Sequence, residues 1–590
     1  MDIENTFIDA IAQLYQRKIV ANDVFIQKTR KDFVGDFTVN VYAFIKYSKK
    51  PPEKTAKEIG EYLKENVDFI ESYNIIKGFL NIEIKIQYWI KYFNDNYKKQ
   101  NFGFGKSKDE KPVVIEYSSP NTNKPLHLGH IRNNLIGWSI AQILEANGKK
   151  VNKVNLVNDR GIHICKSMLA WERWGKGETP ATSNMKGDHL VGKYYVLFDK
   201  LFKQEIQEIV STGTLEEVAE KKSTLLKDAQ EMLREWEAGD KYTLKLWKKL
   251  NKWVYEGFDV TYKKLGIDFD KTYYESETYL EGKKIVEKGL KDGYLYQKED
   301  NSTWVDVSSG KLGEKLLLRA DGTSVYITQD LGTAKIRHDL YDPQKLIYVV
   351  GNEQNYHFDV LKIVLRNLGF DWFEKIYHLS YGMVELPHGK MKSREGKVVD
   401  ADDLIEEMYE TAKSKTSELG KIKEFSDEEA ENLYRTLSIG ALKYFILKVD
   451  PQKNMLFNPE ESIDFNGNTG PFIQYTYARI QSLLKKASDR NIFDLYSLEN
   501  SILPKEKEII KLISNYPDII KEAGEKYSPA LIANYVYDLA KEYNQYYHDT
   551  PVLKAKGKDT IEFRLCLSQF VGNIIKSSME LLGIDVPDRM

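Results

Sequence analysis

The spacing of apolar positions changes along the first hundred residues. Phe7, Ile11, Leu14 and Tyr15 recur at helical steps, whereas Phe79-Leu-Asn-Ile-Glu-Ile84 alternates as a strand does. Gly35-Asp-Phe-Thr-Val-Asn40 reads as a turn leading into Val41–Tyr47, and Pro51-Pro52 opens a helix through Ile59 and Leu63. A small α+β domain is therefore expected over residues 1–105, closed by a Gly- and charge-rich linker, 103–112. From Lys111 short apolar runs alternate with helical periods. Val113–Ile115 reads as a strand. Ile131, Leu135 and Trp138, with Ile136, Ile140, Ile143 and Leu144, mark a helix that stops at Gly148, and Val151–Val157 is the next strand. A charged, mostly helical stretch follows over 178–265 and reads as an insertion, its lysines as a solvated face. Paired strands are expected over 293–307 and again over 316–330, turning at Asp321-Gly322, with a helix from about Leu331; Leu346–Val350 is a buried strand. The pattern predicts an α/β class with a doubly wound parallel sheet over 111–425, followed by an all-α domain over 428–590.

With 590 residues the chain is too long for one core. Its 86 basic and 88 acidic residues leave a formal net charge of −2, which excludes a globally basic nucleic-acid coat but not local RNA-binding patches. Cys165 and Cys566 form no CxxC, so neither a disulfide framework nor a thiolate zinc site is expected. The start Met1-Asp-Ile-Glu4 is acidic and unlike a signal peptide. No run of about 18 apolar residues could span a membrane. A cytoplasmic protein is expected.

The candidate chemistry gathers at the ends of the predicted parallel strands. Glu116-Tyr-Ser-Ser-Pro-Asn-Thr-Asn-Lys-Pro-Leu-His-Leu-Gly-His130 is a strand end, a Pro/Asn-rich turn and the first turn of a helix. That geometry aims unpaired N–H groups and a positive dipole end at one point, a natural phosphate site. His127 and His130 lie three apart and face the same side, and Gly129 leaves room where a flat base could approach. Asn158-Asp-Arg-Gly161 forms a turn at the end of the second strand. Tyr326 and Asp330 read as a strand-end phenol and an N-cap carboxylate, although a carboxylate is also what a bidentate guanidinium needs. Gly351-Asn-Glu-Gln-Asn-Tyr-His-Phe358 is a polar loop after a parallel strand, and Lys390-Met-Lys-Ser-Arg-Glu-Gly-Lys397 is a basic turn. Phe472–Lys486 mixes rings and cations, which suits a single-stranded RNA loop and equally a core helix.

The string from Ser118 to His130 resembles the HIGH signature of class I aminoacyl-tRNA synthetases in its arginyl-tRNA synthetase form. The 390–397 turn is similar to the KMSKS loop of that class, with Ser393 where its second lysine usually stands. The likeness extends to the GDF and GFLN strings of an additional N-terminal domain and to the ending at Arg589-Met590. It implies ATP as substrate with Mg²⁺, L-arginine and tRNA(Arg) as partners, and no protein-bound metal or organic cofactor. It implies catalytic roles for His127, His130, Lys124, Lys390, Lys392 and Arg394. ATP would meet His127, Gly129, His130, His357, Phe358, Met391 and Ser393. Arginine would meet Glu116, Ser118, Asn121, His130, Tyr326, Asp330 and Gln354. Phe79, Asn81, Gln474, Tyr475, Tyr477, Arg479 and Met590 would touch tRNA, the first two at its elbow and the helical domain at its anticodon.

The resemblance implies an arginine–tRNA ligase acting as a monomer. A tRNA-independent adenylating enzyme of the same superfamily is argued against by the helical C-terminal domain. A non-catalytic RNA-binding relative is argued against by intact His127, Gly129, His130 and Asp330.

Overall fold

The computed structural model describes residues 3–18, 26–30, 32–107, 110–307, 313–385, 399–418, 425–488 and 502–590. They form two compact units.

The first unit is Met1–Phe102 with Leu483–Asn515 and Lys541–Asn573. Its antiparallel sheet runs Ile26–Lys28, Phe37–Asn40, Phe79–Ile84, Ile70–Ile76. Helix Pro52–Asn66 packs on it and buries Ile59, while Leu80 and Ile82 come from the sheet itself. After Asn40 the chain turns helical through Ser48 instead of extending, because the Asn40 side chain accepts the Tyr42 N–H at 3.1 Å and starts a helical turn. The first hundred residues do not close a core alone. Phe93 meets Phe563 edge-on at 5.2 Å. The buried Asp36 carboxylate is held by Lys507 at 3.1 Å and Lys511 at 3.0 Å. This packing unit thus takes helices from the last third of the chain as well as residues 1–102.

The second unit is Gly103–Ser482 with Tyr516–Ala540 and Ile574–Met590. Its centre is a five-stranded, all-parallel sheet of β1 (Val113–Glu116), β2 (Val151–Val157), β3 (Lys271–Tyr274), β4 (Lys345–Gly351) and β5 (Ile376–Tyr381). The strand order is β5-β4-β1-β2-β3. The order reverses between β1 and β4, so a crevice opens at their carboxyl ends, the usual ligand position in such sheets. Helix α1 (Leu128–Ala146) follows β1 and is buried on nearly every side, including Arg132 and Asn134. It lies close to β1 because residue 137 is glycine: a Cβ there would sit 2.3 Å from the Tyr117 Cβ. Asn133 ties the crevice together by accepting the Ser118 N–H at 2.6 Å and donating to the Val349 carbonyl at 2.5 Å.

Between β2 and β3 the chain is helical over much of Pro180–Lys264. A small antiparallel sheet of Tyr296–Gln297, Thr303–Asp306 and Glu314–Leu318 follows β3. Here the expectation is corrected. The strand expected to return after Asp321-Gly322 is a single bridge between Leu318 and Ser324, and helix α2 (Tyr326–Tyr341) starts five residues before Leu331. Helix α3 (Asn355–Asn367) follows β4 after one short 3-10 turn. Among the described residues no helix is long and apolar enough to cross a membrane.

Candidate active site

The turn after β1 carries two imidazoles that cap their own helix. His127 is the N-cap of α1, and its Nδ1 accepts the Gly129 N–H at 3.1 Å. His130 Nδ1 accepts the His127 N–H at 3.2 Å, and the two rings lie 3.8 Å apart. A backbone N–H can donate only to an unprotonated nitrogen, so each ring carries its proton on Nε2. Burial, with Lys124 adding, pushes His127 down to about 4 against the pull of Asp400; burial, with His127 and Lys124, holds His130 well below the ordinary imidazole value. Both rings are neutral Nε2–H donors at physiological pH. Burial also lowers Lys124. Gly129 also makes room for the histidine itself: a Cβ there would come within 3.0 Å of the His127 ring. The segment after the basic loop is stitched to this turn, with Leu128 N–H on the Val399 carbonyl at 3.1 Å and Ala401 N–H on the Leu126 carbonyl at 2.9 Å. Nearby, Asp188, His189 and Asp402 cluster, but the Lys186 ammonium bridges both carboxylates where a metal ion would lie.

The other half of the crevice is acidic. Tyr326 begins α2 and is 68% exposed; Asp330, one turn later, shares its helical face. They are a helix start and a carboxylate one turn into the helix, not a strand end and a cap. His357 Nε2 is bonded to Asp330 Oδ2 at 2.5 Å. Gln354 ends an exposed 3-10 turn between β4 and α3. Asn121 and Tyr326 line a cavity of about 410 Å³ shared with Arg160, His163, Glu275 and Gln329. Ser118 is fully buried in a left-handed backbone (φ 64°), and its hydroxyl bonds the Tyr262 hydroxyl at 2.7 Å. The Glu116 carboxylate is buried and ion-paired with Arg337, so in this structure its charge answers an arginine of the chain itself. Arg337 is 1% exposed and stacks by Tyr273 at 4.8 Å. Burial opposes its charge, but Glu116 outweighs that and raises its proton affinity.

Sequence reading missed Glu275, which the fold sets at the start of a helix directly after β3. It is 4% exposed, its Oε2 has no hydrogen-bond partner among the described residues, and it faces the cavity. Burial pushes its carboxyl up to about 8; Arg160 opposes the rise, and Asp330 and Asp159 add to it. Its position at the end of a parallel strand was the available signal, but Lys271-Thr-Tyr-Tyr274 is too short and polar to read as a buried strand.

Several sequence candidates are not drawn into the crevice. Phe358 is 6% exposed and stacks on His378 at 4.3 Å, so its ring belongs to the core. Asn81 is buried, accepting from the Thr38 hydroxyl at 2.6 Å and donating to Asn74 at 2.9 Å. Phe79, on the same strand, lies edge-on to the exposed Tyr42. Gln474 is fully buried and donates to the carbonyls of Thr436 and Asp585 at 3.1 and 2.8 Å, and Tyr477 is 5% exposed. The expectation that these two meet RNA is corrected: one holds the C-terminal tail and the other packs inside. Tyr475 and Met590 are partly buried, and the Arg479 guanidinium lies 4.8 Å over the Tyr475 ring. Lys390, Met391, Lys392, Ser393 and Arg394 lie outside the described residues.

Comparison with known proteins agrees with the fold. The family model for the catalytic domain of class I (R) tRNA synthetases matches residues 96–458. Those for the DALR anticodon binding domain and the arginyl tRNA synthetase N-terminal domain match 473–590 and 1–84. The chain is 56% identical to the arginine–tRNA ligase of Parabacteroides distasonis, covering 100% of this chain and 99% of that one. It is 53% identical to that of Flavobacterium psychrophilum, covering 98% of each. In fold it is similar to the arginyl-tRNA synthetase of Thermus thermophilus, with a TM-score of 0.80 at 23% identity over all of both chains.

Proposed function

This chain belongs to the class I arginyl-tRNA synthetases, the ATP-dependent arginine–tRNA ligases, and we propose that it works through the crevice between β1 and β4 with the residues named below. The observation that carries the assignment is the mutual capping of His127 and His130, which presents two neutral N–H donors beside a helix N-terminus. Such donors suit phosphate oxygens.

In the first step the arginine carboxylate attacks the α-phosphorus of ATP in line, and pyrophosphate leaves. Nε2–H of His127 and His130 would hydrogen-bond the phosphate oxygens as charge builds on them, with Lys124 adding an ammonium; Lys390, Lys392 and Arg394 are assigned to the leaving group. No nucleophile of the protein is needed, so the contribution is positioning and charge stabilisation. Mg²⁺ is taken to arrive on the triphosphate, since the described groups at this turn are donors that fit anions. The guanidinium would lie in the acidic half of the crevice against Tyr326, Asp330 and Glu275, with Asn121 and Gln354 toward the ammonium and carboxylate end. Glu116 would act through Arg337, and Ser118 by shaping the turn. In the second step a ribose hydroxyl of the terminal adenosine of tRNA(Arg) attacks the arginyl carbonyl and AMP departs. Residues 1–105 and 428–590 are read as the elbow- and anticodon-binding parts of a cytoplasmic monomer, with Phe79, Tyr475, Arg479 and Met590 as the remaining tRNA candidates.

Arginine-dependent exchange of pyrophosphate into ATP, measured with and without tRNA(Arg), tests the reading. Exchange with arginine and none with lysine is expected. Exchange without arginine specificity would return the chain to an unspecified adenylating role.

A further inference from the structure

Asp330 reaches the crevice already bonded. Its Oδ2 is 2.5 Å from His357 Nε2, and His357 stands in the first turn of α3, one 3-10 turn beyond the end of β4. The imidazole is not free to turn toward a distant ligand. Its neighbour Phe358 meets it edge-on at 5.7 Å and is itself stacked on His378 and packed against Tyr348. The core beneath α3 therefore fixes the ring, and the ring fixes one oxygen of Asp330. Both side chains keep some exposure, 23% for His357 and 30% for Asp330, so the pair is not sealed from solvent.

We propose that His357 is a positioning residue for Asp330, holding one carboxylate oxygen so that the other is aimed at the substrate guanidinium, and that its protonation tunes arginine affinity. The proposal rests on reading Asp330 as the guanidinium ligand. It moves His357 from the nucleotide side of the site to the amino-acid side.

The physical consequence is a pH dependence with a defined sign. A protonated His357 neutralises part of the Asp330 charge, which weakens attraction for an incoming cation. Burial works against protonation of His357, but Asp330 outweighs it, so the ring titrates above the ordinary imidazole value. As pH rises through that titration, Asp330 recovers its full charge and arginine binds more tightly. The other groups that bear on this pair are Glu275 from the helix after β3, Tyr348 from β4 and Tyr326 from its own helix. Lys315 of the small sheet is engaged over the Tyr356 ring at 4.3 Å. Of these, Glu275 also titrates in the range concerned, in the same sense, so it must be separated.

The experiment measures KM for arginine and for ATP by pyrophosphate exchange with tRNA(Arg) present, across neutral to mildly alkaline pH, in wild type, His357→Gln, His357→Ala, Glu275→Gln and Asp330→Asn. His357→Gln keeps a donor but cannot titrate: the fall of arginine KM with pH should flatten, while it persists in Glu275→Gln. His357→Ala frees the carboxylate to turn and should raise arginine KM by about tenfold at the alkaline end of the range, where the wild-type ring is neutral and only its positioning is lost, with ATP KM unchanged. An unaltered pH slope in His357→Gln overturns the proposal, as does a change confined to ATP KM, which would return His357 to the nucleotide. Asp330→Asn separates the levels. If it spares arginine KM, the guanidinium reading fails and this inference with it. If it raises arginine KM while both His357 variants behave as wild type, only the inference fails.

Discussion

His130 Nδ1 accepts the backbone N–H of His127 at 3.2 Å, and His127 Nδ1 accepts that of Gly129 at 3.1 Å. Each ring is therefore a capping group on one nitrogen and an outward donor on the other. Removing one donor aimed at developing charge costs about a hundred- to a thousandfold in turnover. His127→Asn and His130→Asn should lose that much pyrophosphate exchange while arginine KM stays near wild type. Because both rings are held neutral, neither variant should change the shape of the pH–rate profile between about pH 6 and 8. A variant whose alkaline limb moves would show that the lost ring titrates in the reaction.

The same rings make a stability prediction. His127 titrates at about 4 in the folded protein, below an unfolded imidazole. The unfolded chain then binds more protons between the two values, so stability should fall as pH drops from about 6.5 toward 4 and recover above it. Urea midpoints at stepped pH should show a slope in this window that shrinks in His127→Asn. An unchanged slope would assign the acid sensitivity elsewhere.

Asp330 supplies the charge for amino-acid selection. Asp330→Asn keeps the shape and removes the charge, and a charge-assisted contact is worth roughly 1.5–3 kcal/mol per bond. Arginine activation should fall by about a hundredfold, chiefly in KM for arginine, with ATP KM little changed. Tyr326→Phe removes one neutral contact from a residue already 68% exposed, so its loss should stay below about tenfold. Steady-state exchange with each substrate varied in turn gives the answer, and an unaffected arginine KM in Asp330→Asn would place the guanidinium elsewhere.

Glu275 should give a calorimetric signature. Its carboxyl, pushed up to about 8 by burial, is mostly protonated near neutral pH, and a guanidinium beside it favours the ionised form. Arginine binding should therefore release up to about one proton per site at pH 7, read from titrations in buffers of different ionisation enthalpy. Glu275→Gln should abolish most of that release. Equal heats in all buffers for the wild type would remove Glu275 from the substrate's surroundings. The linked stability runs the opposite way from a salt-bridged carboxylate: it is present below about pH 4.5 and is lost as pH rises through about 8.

Arg337 and Glu116 form a buried pair beneath the crevice. Deleting one member strands the other's charge, at a cost of about 3–5 kcal/mol. Arg337→Leu should lose that much by urea unfolding followed through tryptophan fluorescence. Adding Glu116→Gln should recover part of it, because no uncompensated charge remains. Strictly additive losses would mean the two groups are not coupled.

The chain's local chemistry was legible before any fold was known. A strand, a Pro/Asn turn and a helix with histidines three apart lie within one short stretch, so their spacing alone puts two imidazoles on one face at a helix N-terminus. Alternating apolar runs likewise announced the parallel sheet, its helical insertion and the helical C-terminal third. The partners of individual side chains depended on segments far apart in sequence. Glu116 meets Arg337, Asp330 meets His357, and Glu275 faces the cavity because the parallel sheet sets the carboxyl ends of all its strands along one edge. The start of α2 at Tyr326 was hidden because Leu316–Asp330 carries turn residues and β-branched residues that suit a hairpin, and packing decided between hairpin and helix. Asn81, Gln474 and Tyr477 show the same limit: a polar or aromatic residue on an amphipathic element looks alike whether it faces RNA or the interior. Burial is a property of what packs on the element, which only the tertiary structure decides.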